Sequence, residues 1–176
     1  MSIVLNGTTG ITTPDLTSTA GLDAADLTGT VASARLPAGS VIQVKELIDV
    51  GSSMFTTNQS FVDTGANLSI TPSSASSKIL VIANFNANTG NGAGAGVRVS
   101  VRRNGSTSLF SGNSGPIFYD SNSGYGHSQG ALIKLDSPNT TASTNYSIWI
   151  ASQNGVQAGI ARDWGDVRIL LMEIAG

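Results

Sequence analysis

Val97-Arg98-Val99-Ser100-Val101-Arg102-Arg103-Asn104-Gly105-Ser106-Thr107-Ser108-Leu109-Phe110 decides the fold. Valine recurs at every second position from Val97 to Val101, with Arg or Ser between, so one side of the segment is apolar and the other polar. That is the two-residue period of a half-buried strand. Asn104-Gly105 supplies the two residues that most readily take positive φ, which a tight hairpin turn requires. Thr107-Ser108-Leu109-Phe110 then reads as the returning strand.

The same grammar extends in both directions. Val41-Ile42-Gln43-Val44-Lys45-Glu46-Leu47-Ile48-Asp49-Val50 is β-branched and apolar, Asn67-Leu68-Ser69-Ile70-Thr71 alternates and stops at Pro72, and Lys78-Ile79-Leu80-Val81-Ile82-Ala83-Asn84-Phe85 reads as a central, buried strand. Downstream, Ala131-Leu132-Ile133-Lys134-Leu135, Tyr146-Ser147-Ile148-Trp149-Ile150-Ala151 and Val167-Arg168-Ile169-Leu170-Leu171-Met172-Glu173-Ile174 complete a set of about eight strands. The last one runs to the end of the chain and is expected in the interior of a sheet. Strands of this number without helical periods predict an all-β fold, an antiparallel β-sandwich or jelly roll, over residues 38–176.

Residues 1–37 follow other rules. Single apolar residues (Ile3, Val4 and Leu5, then Ile11, Leu16, Leu22, Leu27, Val31 and Leu36) stand about five apart in a Thr/Gly/Ala/Asp background, matching neither period. Gly7, Gly10, Gly21, Gly29, Pro14 and Pro37 interrupt any long helix, although a short one over residues 23–34 is compatible with the pattern. Such a segment cannot bury enough surface to fold alone. It is expected to be an extended, mostly irregular arm whose apolar residues are covered by sister chains or a docking partner.

Composition narrows the function. Charged residues are 11% of the 176, while Ser, Thr, Asn and Gly together supply about 75. Short polar side chains suit turns, strands and contacts between identical chains. A net charge of −2 gives no drive toward nucleic acid, and Arg98, Arg102 and Arg103 are too few to change that. With no cysteine there is no disulfide framework, as fits assembly in a reducing cytoplasm. The N-terminus lacks the basic start and apolar run of a signal peptide, and no segment has the length of a membrane span.

Two stretches of the arm carry a resemblance. Ser2-Ile3-Val4-Leu5-Asn6-Gly7-Thr8-Thr9-Gly10-Ile11-Thr12-Thr13-Pro14 looks like the opening of many bacteriophage tail-fibre proteins. Asp26-Leu27-Thr28-Gly29-Thr30-Val31-Ala32-Ser33-Ala34-Arg35-Leu36-Pro37 resembles a motif that precedes their shaft or head. The turn at Thr71 to Ser74, the hairpin at Arg103 to Gly105 and the terminal Leu170 to Ile174 strand are similar in pattern to phage fibre tips. The resemblance implies a non-enzymatic virion component, assembled in the bacterial cytoplasm. It would be a short homotrimeric fibre or spike, mounted on other virion proteins by residues 1–37 and displaying a jelly-roll-like head to a host-surface glycan. Tail fibres usually have a long shaft, and here the head follows the arm directly. A capsid decoration or cement protein has that economy, and a free-standing carbohydrate-binding module is a further alternative.

Chemical motifs point elsewhere than catalysis. Asp63-Thr64-Gly65 matches the short aspartic-protease signature, but that chemistry needs a second carboxylate sharing the proton, so a turn between strands is expected. Gly90-Asn91-Gly92-Ala93-Gly94-Ala95-Gly96 lacks the spacing of a dinucleotide fingerprint and the lysine of a P-loop, and reads as a loop opening a strand at Val97. His127 is the only histidine, so one chain has no histidine metal cluster, although three copies on an axis would bring three together. It is expected in a loop. Asp163 and Asp166 flank Trp164-Gly165 in a connection expected to be a turn anchored by the tryptophan, although with Asp120 they also allow an acid–base pair or a calcium site. No cofactor or metal is expected. Tyr119, Tyr125, His127 and Trp164 are the candidate receptor-contact residues, read as loop residues whose aromatic faces suit sugar stacking. Trp149 alternates with Ile148 and Ile150 and is expected on the outer face of its sheet or in an interface between copies.

Overall fold

A computed structural model describes residues 36–49, 53–110, 118–120, 125–160 and 166–176. The arm residues Ile3, Val4, Leu5, Ile11, Leu16, Leu22, Leu27 and Val31, and the expected helix over 23–34, lie outside these residues, as do Asp163 and Trp164.

The described residues form eleven strands: β1 Val41–Asp49, β2 Met54–Thr56, β3 Val62–Ile70, β4 Lys78–Thr89, β5 Ala95–Arg103, β6 Thr107–Ser108, β7 Phe118–Asp120, β8 Gly126–Asp136, β9 Thr144–Ser152, β10 Ala158–Ile160 and β11 Val167–Ile174. They make two antiparallel sheets. In the six-stranded sheet, β11 lies between β1 and β4, and β8 flanks the opposite edge of β4. The five-stranded sheet runs β3-β9-β5, with β6 and β7 sharing the far edge of β5.

The 12-residue β4 organises the first sheet. One edge pairs with β8 from Ile79 to Thr89, while the other pairs with β11 up to Asn84 and with β10 from Ala87 to Thr89. β2 adds to β10. The final strand is therefore interior, as its apolar sequence requires.

The two sheets face each other across a core supplied by alternate residues. Ile79, Val81, Ala83 and Phe85 of β4 and Ile169 and Leu171 of β11 face Val97, Val99 and Val101 of β5 and Tyr146, Ile148 and Ile150 of β9. Full burial of each Val, Ile or Leu contributes about 1.5–3 kcal/mol, so this layer is the main source of stability.

The expected hairpin forms. Asn104 and Gly105 take φ of 51° and 70°, and Ser106 N–H donates to the Arg103 carbonyl at 3.3 Å. The returning strand is shorter than expected, since β6 holds only Thr107 and Ser108, although Leu109 N–H still donates to Val101 at 3.0 Å.

Three local expectations are corrected. Asp63-Thr64-Gly65 is not a turn between strands. It is a bulge inside β3, where the register with β9 shifts between Asp63 and Asn67. Gly65 takes φ +77°, its N–H is received by Asp63 Oδ1 at 2.9 Å, and Thr64 Oγ1 donates to the Ile148 carbonyl at 2.7 Å. The glycine-rich run bends at residues 91–94, and β5 starts at Ala95, ahead of Val97. His127 is not in a loop, because β8 begins at Gly126. The cause is packing: a Cβ at Gly126 would strike the Phe118 ring and one at Gly130 would stand 2.7 Å from the Phe85 ring, so glycine lets a strand run where the sequence looks like a loop.

Candidate contact surface

β4 presents Asn84, Asn86 and Asn88 on the face of the sheet turned away from the core, because its odd-numbered positions are buried inside. Directly opposite on β8 stand Ala131, Gln129 and His127. Four side-chain amides and an imidazole thus share one patch on two rigid strands. Asn84, Asn86, Gln129, Ala131, Asp166 and Arg168 line an open groove there.

Asn88 Nδ2 is 3.0 Å from His127 Nδ1. The Asn88 amide N–H is the donor available to that ring nitrogen. At the other end Arg168 Nη2 donates to Asp166 Oδ2 at 2.7 Å, so this carboxylate is engaged by a guanidinium. Asn84 and Gln129 are exposed while Asn86 and Asn88 are buried, and the exposed amides offer both donors and acceptors with no net charge, which suits a hydroxyl-rich ligand held by neutral hydrogen bonds.

The candidate residues do not form one cluster. His127 lies on β8 beside the amides, and Tyr125, 71% exposed, directly precedes that strand. Tyr119 is also exposed but belongs to β7 of the five-stranded sheet, not to a loop as expected. Of the arm, Leu36 is half-buried and borders a groove with Ile42 and Ala175.

Trp149 lies on the outer face of the five-stranded sheet, half-buried, with a guanidinium against one face of its ring. The Arg102 guanidinium stands 4.4 Å from its centroid and 5.2 Å from that of Phe61, with Arg98 on Phe61 at 5.5 Å. Arg98 Nη2 also donates to the carbonyls of Gln59 and Ser152.

Two charged residues that sequence reading did not single out stand at one end of the sandwich, Glu173 buried and Asp136 half-buried. Asp136 faces Ile79 from β8, and Glu173 faces the same isoleucine from β11. Glu173 accepts from Gln43 Nε2 at 2.5 Å and from Ser73 N–H and Oγ at 2.7 Å each. Burial pushes its pKa upward, and these donors outweigh that and hold it below the usual carboxylate range. No sequence signal marks this arrangement, because strand register alone places Asp136 and Glu173 either side of Ile79.

Among the described residues no group of three or more His, Cys, Asp or Glu is placed to hold a metal, and no helix is long and apolar enough to cross a membrane. No family model matches the chain, and no curated protein matches it.

Proposed function

We propose that the protein is a non-enzymatic structural component of a bacteriophage virion. It is a short homotrimeric fibre or spike, mounted through residues 1–37, whose jelly-roll-like head meets a host-surface glycan. The amide-lined groove between β4 and β8 carries the reading of the head. Its polar groups sit on strands, where geometry is held more firmly than in loops, and they offer neutral hydrogen bonds to a polyol. The resemblance of residues 2–14 and 26–37 to phage fibre arms supports the mounting role.

A capsid decoration or cement role is the second reading. The short spacing favours it: the first strand among the described residues begins at Val41, directly after the arm motif that ends at Pro37, leaving no length for a shaft between them.

Two experiments test these parts separately. Phage carrying a deletion of residues 1–37 should assemble without this protein, and a truncated head that still mounts on virions removes the attachment role. A glycan array with the full chain should give hits that weaken at least tenfold on Asn86→Ala or Gln129→Ala. A blank array, or hits indifferent to both changes, removes the receptor role of the groove and leaves the cement reading in place.

A further inference from the structure

We infer that the apolar half of the outer face of the six-stranded sheet is the surface on which a second copy of this chain packs. The inference rests on the homotrimer reading and gives it a location.

Cross-strand pairing sets the outer face out in rows. Val44 of β1, Met172 of β11, Leu80 of β4 and Leu135 of β8 stand side by side across four strands. The next row is Glu46, Leu170, Ile82 and Ile133. Val41 and Ile174 extend the band at one end, and Ile48 opens the row beyond. An antiparallel sheet with one solvated face normally alternates apolar inside with polar outside. β4 over residues 79–82 and β11 over residues 169–172 break that rule here, being apolar on both faces.

The exposure is concentrated. Val41, Val44, Ile48, Ile133 and Leu135 are between 47% and 60% exposed, and they make up most of the exposed large apolar side chains among the described residues. At roughly 80 Å² each they expose on the order of 400 Å², and the half-buried residues between them carry the band toward the ~800 Å² per partner of a stable complex. The face also has its own charge complement: Glu46 lies near the β1 side and Lys78 beside Ile174, both exposed, so a neighbour can oppose unlike charges.

The band ends at β8, an 11-residue strand without proline that pairs only with β4 among the described residues. Long open edges of this kind pair with other chains unless they are covered. An identical chain covers band and edge together, and contact between unlike patches closes into a ring when the rotation between copies is a whole fraction of a turn, as a three-fold axis requires.

Size-exclusion chromatography with light scattering on the full chain tests this. The expected mass is about three times the 17.9 kDa of one chain. Val44→Glu and Ile133→Glu should each bring it to the single-chain mass with an unchanged β-type circular dichroism spectrum, since both sites are exposed in the single chain. Thr141→Glu, in the β8–β9 connection, should leave the assembly intact. Hydrogen exchange on the unsubstituted chain gives a second readout: the β8 amides aimed away from β4 should exchange slowly at assembling concentrations. A single-chain mass for the unsubstituted protein overturns the inference and the homotrimer together. An assembly that survives both glutamates, or fast exchange along β8 within an intact assembly, overturns this surface alone. Neither result touches the virion reading, which the arm deletion decides.

Discussion

Tyr146, on β9 of the five-stranded sheet, donates its hydroxyl to Asp136 Oδ2 at the end of β8 in the six-stranded sheet, 2.8 Å away. Arg103 of β5 meets the same carboxylate, its Nη1 standing 3.0 and 2.9 Å from the two oxygens. The carboxylate therefore ties three strands across the gap between the sheets. Asp136 is 12% exposed and Arg103 24%, so the pair is largely sheltered from solvent screening.

Removing the carboxylate leaves a guanidinium and a phenol without their acceptor. Asp136→Ala should cost about 2–3 kcal/mol, below the ~3–5 kcal/mol of a fully buried pair because both partners keep some solvent. Tyr146→Phe, which removes one hydrogen bond and little volume, should cost about 1 kcal/mol. Urea unfolding at neutral pH measures both. Equal losses would mean that the clamp does not act through Asp136.

Stability should fall at both ends of the pH range, for different residues. Burial, then the hydrogen bond and the charge of Asp136, push the Tyr146 phenol far above its usual value. The unfolded chain releases that proton near pH 10, so the contribution is full below about 10 and lost as pH rises beyond it. Glu173 runs oppositely. Its folded pKa is depressed, so its contribution is full above the unfolded value of about 4.3 and lost as pH falls through the folded one. Melting temperature against pH should show the acid limb flattened by Glu173→Gln and the alkaline limb flattened by Tyr146→Phe. Limbs unchanged by these substitutions would assign the titration to other groups.

The strands with a long, clean period were legible in the sequence. Val167–Ile174 forms as read, and Asn104-Gly105 turns as its residue types demand. β2 and β10 were not, because three residues cannot show a period. They exist because β11 ends opposite Asn84 and leaves the last residues of β4 without a neighbour on that edge. The amide groove was hidden for another reason. Asn84, Asn86 and Asn88 look like the polar end of a strand, and Gly126 and Gly130 look like loop residues, until register places the two stretches side by side. The apolar band was hidden by excess: Leu80, Val81 and Ile82 are all apolar, and only the partner sheet decides which of them turns inward.

The bulge in β3 makes a prediction that a turn at the same place would not. Gly65 holds φ +77°, so Gly65→Ala should cost about 1–3 kcal/mol although a Cβ there meets nothing within 4 Å. Thr64→Val keeps the shape and deletes the donor to Ile148, and should cost about 1 kcal/mol. Asp63→Ala removes only the exposed acceptor for Gly65 N–H and should cost less than either. Thermal melts of the three variants give the order, and a neutral Gly65→Ala would place a relaxed backbone there.

Trp149 and the groove should respond differently to sugars. The indole lies on the opposite sheet from Gln129, with the Arg102 guanidinium over its ring and its Nε1 donating to Ser147 Oγ at 2.8 Å. The face of the indole under the guanidinium is not free to stack on a pyranose. Arg102→Ala should therefore change tryptophan fluorescence and cost about 0.5–1 kcal/mol of stability while leaving glycan affinity within twofold. Gln129→Ala should do the reverse, lowering affinity with a fluorescence spectrum and melting temperature close to those of the parent protein. Titrating any array hit against the two variants separates the surfaces. A sugar that loses affinity on Arg102→Ala and not on Gln129→Ala would move the contact site to the five-stranded sheet, where exposed Tyr119 is the remaining aromatic face among the candidates.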